Sequence, residues 1–188
     1  MNPSEISMAE KISGILPEEG VWIVDVRTNQ LIRMILIFLK ALSGIKNRRG
    51  LIITIERPHH YLTYLLGIHG ISQRNLTYVD IASSPKKIIE FPISLGSSDI
   101  FIGGFLLRDY VEPQDYDFIL VDNLAHTRMY LSRETHNKIV KNLVEIAKKE
   151  RLLSIFPIDR DRSPEIYKLL KKHAMHELKW EEVMKIAD

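Results

Sequence analysis

The sequence predicts an α/β fold, a mainly parallel sheet flanked by helices, and three observations carry that prediction. Apolar runs of strand length alternate along the chain with stretches of helical period. Two of those runs, residues 51–55 and 118–122, are apolar almost throughout, as buried strands are. Residues 20–39 then read as a short buried strand, a tight connection and a strongly apolar helix, the strand–loop–helix unit of parallel α/β proteins.

Taken in order, residues 1–19 hold a short amphipathic helix. Ser7 is its expected N-cap, with Glu10 three residues on at capping-box spacing, and Met8, Ile12, Ile15 and Leu16 form its apolar side. A strand at 21–24 leads through a tight turn to a helix from about 28 to 42. Asn47-Arg-Arg-Gly50 is a polar turn before the strand at 51–55. Pro58 suits the first turn of the next helix, which carries Tyr61, Leu62, Leu65, Leu66 and Ile68 and stops at Gly70. Residues 76–81 are a third strand. Residues 88–93 make a short edge strand, because Pro92 would remove a ladder donor from a central one. Ser97 or Ser98 caps a helix reaching about Val111, despite Gly103 and Gly104 inside it. After the strand at 118–122, a helix over 133–150 buries Ile139, Val140, Leu143, Val144 and Ala147 at helical spacing. A strand at 152–156 follows, Ser163-Pro-Glu opens a last helix, and 176–180 form a final edge strand. The crossovers between parallel strands are expected to be right-handed.

Composition narrows the functional classes. At 188 residues the chain is expected to be one domain, large enough to bury a core without staples. A hydrophobic content of 45% argues against disorder, and a net charge of +2 is too small to point to a polyanion by itself. Cysteine is absent, which excludes disulfides and thiolate metal sites. His59 and His60 are adjacent and cannot share a helix face, and His173 and His176 have no third ligand nearby, so no metal site is expected. The N-terminus has no basic region followed by an apolar run. The apolar block at 31–42 is interrupted by Arg33 and Lys40 and is short for a bilayer. A cytoplasmic protein without a membrane partner is the expectation.

The unit at 20–39 is the frame in which a phosphate-binding loop sits, and its chemistry is missing. The pattern G-x-x-x-x-G-K-[ST] needs glycines for close backbone approach, a lysine for charge and a hydroxyl for Mg²⁺. Laid on this sequence without a gap, it starts at Asp25, which replaces the first glycine. Gln30 replaces the second, Leu31 the lysine and Ile32 the hydroxyl.

This order, with its residues, resembles the RecA-like ATPases, in particular the KaiC-like branch, over nearly the whole chain. Leu16-Pro-Glu-Glu-Gly20 is similar to that family's I-P-x-G lead-in. Ile55-Glu-Arg-Pro-His-His-Tyr-Leu62 is similar to its F-E-E-S-P-E-E-L segment, with a matching helix end at Gly70-Ile71. Tyr116-Asp-Phe-Ile-Leu-Val-Asp-Asn-Leu124 resembles its Walker B strand, and 153–157 fall where its sensor strand lies, between the first and Walker B strands. The resemblance implies a RecA-like three-layer sandwich with a twisted, mainly parallel sheet. It places Asp122 at the Walker B aspartate, whose role is to hold Mg²⁺ through water. Glu56 falls at one of the family's paired acids, with Ile55 at the other.

With the phosphate cradle gone, no catalytic residue, ATP hydrolysis or ATP–Mg²⁺ cofactor is expected. Leu31 and Ile32 extend an apolar helix face and are expected to have become packing, and Asp122 to hydrogen-bond the neighbouring loop as a relic of the fold. What the resemblance then implies is a non-enzymatic interaction or regulatory subunit, partnered by itself or by an active RecA-like ATPase paralogue. Two alternatives come from other classes. In RecA-like recombinases the loops after the Walker B and sensor strands grip DNA, and here they carry Arg128, Arg133, Arg160 and Arg162, which would make the protein a nucleic-acid-binding accessory factor. Against it, Asp159-Arg-Asp-Arg162 alternates in sign and reads as a self-neutralised turn. The other alternative is an ATP-binding protein with an unorthodox loop.

Overall fold

A computed structural model describes residues 1–80, 82, 101–102, 105–106, 116–129 and 131–185. Six strands form one all-parallel sheet: β1 (Gly20–Asp25), β2 (Gly50–Thr54), β3 (Leu76–Asp80), β6 (Phe118–Val121), β7 (Leu153–Ile158) and β8 (His176–Lys179). Their order is β3-β2-β6-β7-β1-β8. β7 therefore lies between β1 and β6, where the sequence reading puts the strand at 153–157. Two further strands, β4 (Phe101–Ile102) and β5 (Phe105–Leu106), pair antiparallel with each other.

Because side chains alternate across a strand, the near-continuous apolar runs feed two cores. Trp22 and Val24 of β1 point to one face, where they meet α1 (Pro3–Ile15), α2 (Leu31–Leu39), α3 (His59–Ile68) and Trp180 of α6 (Trp180–Lys185). Val21 and Ile23 point to the other, against α4 (Arg133–Lys149) and α5 (Pro164–Lys171). The result is three layers: helices, sheet, helices. All five apolar residues expected inside the helix at 133–150 are buried on α4, and Ser132 caps it by accepting the Thr135 N–H at 3.2 Å.

α2 is entered by a 3₁₀ turn, Thr28–Gln30, and leaves through a wider π-type turn, Lys40–Ile45. The continuous helical run is thus longer than the expected 28–42. At 18 residues, Thr28–Ile45 reaches the lower limit of a membrane span by length and composition. Its Leu31, Met34, Ile35 and Phe38 belong to the first core, and α1 packs along it.

Several expectations need correction. The cap of α1 is Asn2, not Ser7: Asn2 Oδ1 accepts the Glu5 N–H and Glu5 returns the bond to the Asn2 N–H, a capping box one turn earlier, with Pro3 at the first helical position. Ile15 is mostly exposed and does not join the apolar side. Pro58 is the N-cap of α3 and lies outside its first turn. Gly70 does end α3 as expected: at φ +62° it lets Ile71 N–H reach Leu66 O and its own N–H reach Gly67 O, the paired bonds of a Schellman cap. The helix expected to reach Val111 is contradicted by β4 and β5, which flank Gly103-Gly104. Two glycines are costly inside a helix. The rest of that segment, and the strand expected at 88–93, lie outside the described residues. Ser163 precedes α5 without a side-chain capping bond, and α5 is followed by one more helix, α6.

Candidate functional site at the carboxyl edge of the sheet

α2 and α3, which follow β1 and β2, pack on one face of the sheet, while α4 and α5, which follow β6 and β7, pack on the other. At the carboxyl edge the chain therefore leaves β2 and β6 in opposite directions, and likewise β1 and β7. A crevice opens where neighbouring loops diverge in this way, and α/β sheets bind ligands there. Here it is a half-open cleft of about 240 Å³, reached by Val26, Thr28 and Leu31 after β1, Glu56 after β2, Asn123 after β6 and Asp159 after β7.

Asp122 closes one side of the divergence. It follows β6 and is 5% exposed. Its Oδ1 accepts the N–H groups of Ile55 at 2.7 Å and Asn123 at 2.6 Å, and its Oδ2 those of Glu56 at 3.2 Å and Arg57 at 3.4 Å. Burial pushes its carboxyl up to about 6, against the opposing pull of those four backbone bonds. A carboxylate offers about four lone-pair sites, and the main chain takes them all. Glu56 is half-buried beside it: Oε2 accepts from Asn123 Nδ2 at 2.9 Å, and Oε1 stands 3.5 Å from Arg57.

Asp159 closes the other side, and the sequence reading gave it no individual role. Its Oδ2 accepts both the N–H of Thr28, at 3.0 Å, and the Thr28 hydroxyl, at 2.9 Å; Oδ1 accepts the Arg162 N–H at 3.1 Å. Burial alone would raise its carboxyl, but the bonds from Thr28 and Arg162 outweigh it and hold the group below its ordinary value. Thr28 opens the helical run that continues as α2, so an internal carboxylate occupies the start of the helix that a phosphate-binding loop would present to its ligand. An acid directly after a parallel strand and a threonine at a helix start were the signals available for this pair.

The four positions laid against the phosphate-loop pattern divide between surface and core. Asp25 ends β1 and pairs with Arg160, Nε to Oδ2, at 3.6 Å. Gln30 is half-buried, and its Oε1 is enclosed without a partner among the described residues. Leu31 is 4% exposed and belongs to the first core while also lining the cleft; Ile32 is half-buried and packs against that core.

The four arginines gather along the β6 and β7 loops, each opposite a carboxylate. Arg128 and Arg133 flank Glu165 of α5 at 2.9 and 3.2 Å, with Arg133 standing as the first residue of α4. Arg160 lies between Asp25 and Asp161 and over the Tyr167 ring, and Arg162 Nε is 3.9 Å from Asp159.

Two polar clusters escaped the sequence reading. Asp80, at the end of β3, accepts the His59 N–H at 3.2 Å and Thr54 Oγ1 at 3.1 Å, and stands 2.6 Å from His59 Nδ1. It supplies from another element the capping acceptor that Pro58 lacks. His136 lies fully buried on α4 with Nδ1 2.5 Å from Thr127 Oγ1. The Thr127 hydroxyl donates to Leu124 O at 2.8 Å, so Nδ1–H is the donor to Thr127, and Nε2 is buried without a partner among the described residues. Burial, with the Arg128 charge, pulls this imidazole down to about 4. His59, His60, His173 and His176 make no metal cluster among the described residues. Neither a protein-family model nor a curated protein matches this chain.

Proposed function

We propose that this chain is a catalytically degenerate homologue of the RecA/KaiC-like ATPases that acts as a non-enzymatic interaction or regulatory subunit. The observation that carries the reading is the Asp159 carboxylate bound to the N–H and hydroxyl of Thr28 at the start of the α2 helical run. A nucleotide phosphate would need those same donors, and it would have to approach an anion already held there. Asp25 adds a second carboxylate at the start of the loop, and Leu31 puts a buried aliphatic side chain at the lysine position. With all four acceptor sites of Asp122 spent on main-chain N–H groups, it has none directed at a metal or its water. The cleft is also smaller than the roughly 300–1,000 Å³ of sites that enclose drug-sized ligands. The strand order supports the family assignment, because β7 lies between β1 and β6.

The carboxyl-edge loops pair each of their arginines with an acid, which favours a protein partner over a polyanion. That partner is a second copy of the chain or an active ATPase paralogue of the same fold. The test is titration calorimetry with millimolar MgATP. No heat of binding is expected from the parent protein, and a micromolar dissociation constant would sink the proposal in favour of an ATP-binding protein with an unorthodox loop.

A further inference from the structure

We propose that His136 is a pH-sensitive latch on one wall of the carboxyl-edge cleft: neutral, it ties the 3₁₀ turn Leu124–Met129 to α4 through Thr127, and protonated it lets that turn go. The turn supplies Ala125, His126 and Met129 to the cleft. Two of its side chains are buried. Leu124 joins the second core, and Thr127 sits in a relay that runs from α4 into the turn. His136 Nδ1–H donates to Thr127 Oγ1 at 2.5 Å, and the Thr127 hydroxyl donates to Leu124 O at 2.8 Å. Thr127 O in turn accepts the Leu131 N–H at 3.0 Å. The Arg128–Glu165 pair on the outside is partly exposed and worth little, so beyond Leu124 the buried relay is what fixes the turn.

The relay tolerates one protonation state. Nδ1 already carries a proton, so a second must go to Nε2, which is enclosed without a partner among the described residues. A cationic donor there would be buried and unsatisfied. The charges around it do not help. The turn brings Arg128 and His126, α4 brings Arg133, and Glu165 of α5 is spent on the two arginines. Glu134 lies two residues before His136, on the solvent face of α4. The oxygens of Asp122 after β6 are taken by main-chain N–H groups. β1 and β7 meet α4 with Val21, Ile23, Phe156 and Ile158, and the acids at their ends, Asp25 and Asp159, are bound to Arg160 and Thr28. Burial and the Arg128 charge hold the closed imidazole down to about 4, whereas an exposed one takes its proton near 6.5. Opening therefore binds a proton, and it is favoured as pH falls between those values.

The latch is independent of what meets the cleft, and the experiment reads it without a ligand. Amide hydrogen exchange of the ¹⁵N-labelled protein would be measured at pH 7 and pH 5, as protection factors corrected for the slower intrinsic exchange in acid. The reporters are the Leu131 N–H, bonded to Thr127 O, and the His126 N–H, bonded to Asn123 O. In the parent their protection should fall about tenfold or more from pH 7 to pH 5, while the amides of β1 and β7 change by much less. His136→Gln keeps an N–H donor for Thr127 but cannot titrate, and should remove the fall. Thr127→Val takes away the acceptor, and should lower the protection of both reporters already at pH 7. The imidazole ¹⁵N shifts of the parent at pH 7 give a reading that needs no variant to fold: the neutral Nδ1–H tautomer is expected. Equal reporter protection at the two pH values, a fall shared by β1 and β7, the same fall in His136→Gln, or the Nε2–H tautomer would each overturn the inference.

Discussion

Two buried ionisable side chains pull the stability of this protein in opposite directions as pH changes. His136 is held down to about 4 by burial and by Arg128, so the unfolded chain takes up its proton first. Stability is therefore full above the ordinary histidine value and is lost as pH falls from about 6.5 toward 4. Asp122 is held up to about 6 by burial, so the unfolded chain loses its proton first. Its contribution is full below the ordinary carboxyl value and is lost as pH rises from about 4 to 6. Each shift is worth on the order of 3 kcal/mol, and across the shared window they offset. Relative to the parent, His136→Leu should gain stability on acidification from about pH 6.5 to 4, and Asp122→Asn should lose it. Urea denaturation at three pH values reads both differences; parallel curves for parent and variants would refute the assignment. Leu31 gives a second residue-scale test. It is buried at the position where a phosphate-binding lysine would stand, so Leu31→Ala should cost about 2–5 kcal/mol by opening a cavity. A loss below about 0.5 kcal/mol is the behaviour of a surface position, and would mean that the loop after β1 is open.

The elements were legible in proportion to how locally their signals are written. β1, β2, β6 and β7 are apolar runs that need no partner to be recognised, and all four occur within two residues of where the sequence puts them. The cap of α1 was misread by a turn, because Ser7 with Glu10 and Asn2 with Glu5 carry the same spacing and only packing chooses between them. The candidate site splits in the same way. Asp122 and Glu56 follow recognisable strands, but the Thr28–Asp159 bond joins residues 131 apart, and the local signals, an acid after a strand and a threonine at a helix start, do not say that the two meet. One close contact between elements was also invisible in sequence. Gly50 begins β2 directly opposite Phe118 of β6, and a Cβ placed on it would lie 2.1 Å from the tip of the Phe118 ring. That ring is fully buried, so it can shift only by displacing its packed neighbours. Gly50→Ala should therefore cost about 1–3 kcal/mol or more by overpacking. Adding Phe118→Leu should recover part of that loss, a non-additivity measurable in a double-mutant cycle. Strict additivity would show that the β2–β6 approach is not the constraint.

At the scale of the whole molecule, charge decides between the two classes of partner. The net charge is only +2, and the arginines of the carboxyl edge are distributed among acids, Glu165 alone lying between Arg128 and Arg133. A phosphate backbone binding there would have to displace Glu165, Asp25 and Asp159 and would gain little from counterion release, since the cations it meets are already neutralised. These pairs are at least partly exposed, and each is worth little to the fold, so the arginines can be removed without unfolding the protein. The triple variant Arg128→Ala, Arg160→Ala, Arg162→Ala is thus a clean probe. DNA retention by the parent is expected to stay at background at low and at physiological salt. Self-association measured by light scattering, or capture of an active paralogue, is expected to change in the variant if this edge is the partner surface. Tight parental DNA binding with a steep salt dependence, lost in the variant with a slope reduced by about one unit per arginine, would replace the adaptor reading with the nucleic-acid one. Glu165→Gln sharpens the distinction. Releasing Arg128 and Arg133 from their shared acid should raise DNA affinity if the acid is what excludes the polyanion, and it should leave a protein partner that does not touch Glu165 bound as before.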